Sequence, residues 1–221
     1  MASSVEIYNR ALSRIGISDF ISDPAENSKA GNLYRLWYDV CVDTCLREGL
    51  WNFAARIVAL AQLDGTPIPG WAYKYAYPID CMEARFIGDS NGARSTLSVY
   101  SQFFHESFPV LTSRPAPYVI MSEAPTPETV RRVICTDMPQ AYLLYTARIT
   151  DPNQFDSGFT TALEWLIAAE IASPFLGAPT GPQVAQRAGQ QYQSALVTAK
   201  AQTLNESGAD YRPESPAISC R

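Results

Sequence analysis

The stretch DPNQFDSGFTTALEWLIAAEIASPFLG, residues 151–177, decides how this chain is read. It opens on an acidic corner and runs into an apolar segment in which Phe159, Leu163, Leu166 with Ile167, and Ile171 recur at α-helical spacing. Asp151, Asp156 and Ser157 are candidate N-caps, and Pro174 and Gly177 are candidate stops. The longest apolar run, WLIAA, is bounded by Glu164 and Glu170 and falls far short of the roughly 20 residues a membrane-spanning helix needs. The two carboxylates resemble an acid and base pair at first sight, but their spacing sets them about 120° apart around the helix axis. They read instead as exposed or subunit-facing edges of a helix whose other residues fill a core.

Downstream, after the proline-broken connection APTGP, a further helix is expected over about 182–206. Its stripe is Val184, Ala188, Tyr192, Ala195 with Leu196, and Ala199, opposite Gln186, Gln190, Gln193 and Lys200. The small residues would let another helix approach closely. Upstream, residues 4–16 place Val5, Tyr8, Leu12 and Ile15 on one face, with Ser3 or Ser4 as N-cap and Gly16 as stop. A longer helix is expected over about 26–49, its apolar stripe read as Leu33, Trp37, Val40 with Cys41, and Thr44 with Cys45.

Between the two helical pairs the period changes to that of strands. FAARIVALAQL, WAYKYAYPI, EARFIG, SVYSQFF, PYVIMSE, TVRRVICT and AYLLYTARI are short runs bounded by turn-forming residues, so an antiparallel sheet is expected over about 53–149. From residue 208 the prolines and low apolar content of GADYRPESPAISCR give an extended tail. The fold expected is therefore α+β: a four-helix bundle from residues 1–52 and 150–207, an inserted antiparallel β region at 53–149, and an extended C-terminal tail at 208–221.

The 221 residues are 47% hydrophobic, enough for a proper core, and no internal repeat is visible. A net charge of -5 argues against a protein that grips nucleic acid by neutralising phosphates, and Arg131 and Arg132 fall on opposite faces of a strand. Like charge would still let DNA slide past. The N-terminus lacks a signal peptide's apolar stretch, and five scattered cysteines read as reduced thiols in a cytosolic setting.

The search for chemistry returns little. His105 is the single histidine, which removes most metal sites and most nucleophile systems; a pairing with Cys81 or Cys135 is the residual enzyme reading, weighed against a histidine at a sheet rim. Cys41 and Cys45 share a helical face but lack a second pair of ligands, and core packing suits them better. Trp71, Tyr73, Tyr75 and Tyr77 alternate onto one face, as a base-stacking platform would or, with Lys74 the lone basic neighbour, as a face packed on helices or another subunit. No phosphate-cradling glycine pattern is present. No catalytic, metal or cofactor-binding residues are assigned.

Three segments together resemble one family. Residues 5–60, from VEIYNRALSRIG to WNFAARIVAL, carry a helix ending in glycine, a loop, and a helix closing on W-x-F-A before the first strand. YKYAYPIDCMEARFI carries a Tyr-Pro and Asp-Cys step between strands, and YTARITDPNQFDSGFTTALEWLIAAEIASPFLG leads through TDP-xx-FD-xx-F into an alanine-rich helix. In order and spacing these are similar to the head-to-tail adaptor, or tail tubular protein A, family of tailed bacteriophages, over most of residues 5–205, with 89–138 matching least. The resemblance implies a structural virion protein with no enzymatic activity, cofactor or membrane partner. It implies a ring, typically of twelve subunits, at the head–tail junction, binding the portal on one side and a tail tube or nozzle protein on the other. DNA would pass through its channel without specific binding. C-terminal extensions in the family reach the portal, which makes Tyr211, Arg212, Pro213 and Ile218 the candidate docking residues here. A head-completion ring of a long-tailed phage is the neighbouring alternative, and a thiol-dependent enzyme using His105 and a cysteine the distant one.

Overall fold

The computed structural model describes residues 3–88, 116–126 and 129–206. Helix α1 spans Ser4–Arg14, and the Ser3 hydroxyl accepts the Glu6 backbone N–H at 3.1 Å. Its end is a paired C-terminal turn: Gly16 takes φ 79°, and the N–H groups of Gly16 and Ile17 reach back to the carbonyls of Ser13 and Leu12. Helix α2 spans Lys29–Glu48 and is capped by Ser28 on Gly31 N. It starts three residues later than the apolar pattern suggested, because the capping hydroxyl sets the first turn.

The inward stripe of α2 also differs from expectation. Ala30, Tyr38, Cys41, Val42, Cys45 and Leu46 are buried, whereas Val40 and Thr44 are exposed and Leu33 and Trp37 lie half-buried. The Tyr8 hydroxyl donates to Ala30 O at 3.0 Å, and Tyr34 stacks on Tyr38 while meeting the Tyr8 ring edge-on. These ring contacts rotate α2 about its axis, so that the tyrosines face inward and part of the aliphatic stripe is left at the surface.

After a short 3-10 turn, Asn52–Ala54, six strands follow among the described residues: β1 Ala55–Ala59, β2 Tyr73–Ala76, β3 Cys81–Gly88, β4 Tyr118–Thr126, β5 Thr129–Thr136 and β6 Tyr142–Ala147. They form two three-stranded antiparallel sheets in place of the one expected, ordered β1-β6-β3 and β2-β5-β4. In the first, Ala55 pairs with Thr146 and Cys81 with Ala147, and β3 has register shifts after Cys81 and Ala84. In the second, Tyr73 and Tyr118 both pair with Thr136. The chain leaves β1 to run beside β2, with Leu63 N donating to Lys74 O and Ala76 N to Ala61 O; this crossing divides the strands between two sheets. The expected strand SVYSQFF and His105 lie outside the described residues.

Helix α3, Ser157–Leu176, is the helix of the opening stretch. It runs through Pro174 and ends at Gly177, φ 66°, so proline does not stop it as expected. A proline here, two residues from the end, costs only the hydrogen bond to the Glu170 carbonyl. Asp151 caps the preceding 3-10 turn through Asn153 N at 3.0 Å, and Asp156 takes the N-cap position, its carbonyl accepting Thr160 N. Helix α4, Thr180–Glu206, buries Ala188, Tyr192, Leu196 and Ala199 of its expected stripe, leaves Val184 and Ala195 half-buried, and buries Thr203 as well.

α3 packs against α1, α2 and α4, with α4 its most extensive neighbour. Glycine allows that approach: a Cβ on Gly158 would lie 3.0 Å from Ala199 Cβ, and one on Gly181 would lie 2.9 Å from Ser173 Cα. One buried cluster joins all four helices to Tyr75, Cys81, Ile87, Ile134, Leu143 and Tyr145 of the sheets. The result is an α+β fold with four helices and two small sheets among the described residues.

Candidate functional site

Two of the three segments that carry the family resemblance meet in space. Trp51 and Phe53 enter from the end of α2, and Phe155 and Phe159 from the corner before α3. Phe159 lies 5.1 Å from both Trp51 and Phe53 and 4.8 Å from Phe155, centroid to centroid, mostly edge-on or tilted. Such ring pairs contribute about 0.5–1.5 kcal/mol each beyond their burial. Trp51 Nε1 donates to Cys45 O at 3.0 Å, and Asn52 Nδ2 to Thr203 O at 2.8 Å, which ties the junction to α2 and α4. W-x-F-A and TDP-xx-FD-xx-F thus form the joint between helices and sheets, with Trp51 and Phe159 buried and Phe53 and Phe155 half-buried against them.

Glu164 is not the exposed edge expected. It is 4% exposed and accepts Nε and Nη2 of Arg14 at 2.9 and 2.5 Å, with Arg10 at 3.6 Å. The Arg14 guanidinium also lies 4.4 Å from the centre of the Trp165 ring. This pairing binds α1 to α3. Arg10 and Arg14 stand four apart, so they share one face of α1, a signal that a buried acid opposite was available. Glu170 is half-buried, and its charge acts on Cys41.

Cys41, Cys45, Cys81 and Cys135 are all buried free thiols. Burial, helped by Glu170, pushes the Cys41 thiol up to about 12. Burial likewise raises Cys45, Cys81 and Cys135. Burial thus disfavours the thiolate at each of these positions. Among the described residues no three His, Cys, Asp or Glu side chains group as metal ligands. His105, Cys220 and the tail residues Tyr211, Arg212, Pro213 and Ile218 lie outside the described residues.

The aromatic row on β2 is occupied by the protein itself. Tyr75 is buried and donates to Met138 O, and Arg132 covers the Tyr77 ring at 3.9 Å. Lys74 is buried and bonded to Glu123 at 2.6 Å, and Arg131 bonds the other Glu123 oxygen; Lys74 first, then Arg131, holds that carboxyl below its usual range. The row is a packed sheet face, which is the second of its two sequence readings.

What remains are surfaces. Leu36 and Val40 are 60% and 53% exposed one turn apart on α2, Phe20 is exposed beside α1, and Val197 is exposed on α4. Leu36 and Val197 are apolar residues outside the main stripe of their helices, the signal by which sequence could have found them; Phe20 lies in the connection between α1 and α2, where no periodicity marks it. Among the described residues no helix is long and apolar enough to cross a membrane. No protein-family model matches the chain, and no curated protein matches it.

Proposed function

We propose that this chain is a head-to-tail adaptor of a tailed bacteriophage. Copies of it form a ring, of twelve in the arrangement the resemblance suggests, between the portal and a tail tube or nozzle protein, around the channel through which DNA leaves. The four helices act as the bundle that builds the ring wall, the sheets present the tail-side surface, and the tail after Glu206 docks on the portal through Tyr211, Arg212, Pro213 and Ile218. It works in the virion, at the head–tail junction, without catalysis or a cofactor.

The observation that supports this most is the aromatic joint. Two motifs about a hundred residues apart, chosen for their likeness to one family, supply the four rings that meet there. The acidic balance of the chain suits a channel that DNA passes without being held. Buried thiols with raised pKa values favour this reading over the enzyme.

Co-purification with the portal protein of the same phage is the test. The full chain binds the portal, and a chain ending at Ser207 keeps its helical content and loses that binding. A full chain that never binds the portal overturns the adaptor reading, and undiminished binding by the truncated chain moves the docking surface elsewhere.

A further inference from the structure

We draw no further inference here: the strongest candidate, the outward face of α2 on which Leu36 and Val40 are exposed one turn apart beside the half-buried Leu33 and Trp37, is an apolar helix surface, and nothing in the structure shows what covers it.

Discussion

Arg14 and Glu164 are far apart in sequence and meet across the α1–α3 contact, two guanidinium nitrogens on one carboxylate oxygen. The carboxylate is nearly sealed from water and the arginine about a quarter exposed. Removing one partner of a buried pair costs about 3–5 kcal/mol, and the partial exposure of Arg14 places this case at the lower end. Glu164→Ala is expected to destabilise the fold by about 3 kcal/mol in urea unfolding. Arg10→Ala removes the exposed pair of the half-exposed Arg10 with Glu6 and its longer contact to Glu164, and is expected to cost less than about 1 kcal/mol. Equal effects of the two would refute the assignment of Glu164 as the anchor.

Two glycines of α4 give opposite signs for the same change. Gly189 has nothing within 4 Å of a built Cβ, so Gly189→Ala is expected to stabilise by up to about 1 kcal/mol through helix propensity. At Gly181 a Cβ would meet Ser173 Cα and carbonyl oxygen at 2.9 and 3.1 Å, so the same substitution forces α3 and α4 apart and is expected to cost about 1–3 kcal/mol. Thermal unfolding of the two variants decides it, and a stabilised Gly181→Ala would mean the helices are not in that close contact.

Phe159 is fully buried at the centre of the aromatic joint. Phe159→Ala is expected to cost about 3–5 kcal/mol, and a double-mutant cycle with Trp51→Phe should give a coupling on the order of 1 kcal/mol. Additive effects would show that the two motifs do not cooperate there.

The buried thiols set an alkaline limit. Below the ordinary thiol value of 9.0 both folded and unfolded chains keep Cys41 protonated; above it the unfolded chain ionises while the folded thiol, at about 12, does not. The raised group therefore contributes stability that is intact below pH 9 and declines as pH rises toward 12. Chemical denaturation between pH 8 and 11 should show that decline, and Cys41→Ala should flatten it. In a Cys220→Ser chain at pH 8, the four buried thiols should react with a thiol reagent only after denaturant is added.

Local signals carried much of this fold. Ser3 and Gly16 marked the two ends of α1, short runs bounded by turn-forming residues located the six described strands, and the spacing from Ala188 to Ala199 named most of the buried face of α4. The features that escaped depend on partners distant in sequence. Glu164 read as an edge because Arg14, its counter-charge, belongs to another helix. The α2 stripe was rotated because apolarity alone does not reveal that Tyr8 would pull Tyr34 and Tyr38 inward. One sheet was expected where two exist because the return of residues 60–63 along β2 is a long-range pairing choice. Among candidate site residues, Lys74 and Tyr75 could be placed on a strand from sequence, but their occupation by Glu123 and Met138 could not.

The central claim is that identical copies of this chain close into a ring on a portal. Native mass measurement of the complex between the purified full chain and the portal tests it most directly. One closed ring of a single subunit number, twelve on the family resemblance, bound to one portal is the expected result. A portal carrying scattered single chains, or none, would contradict it.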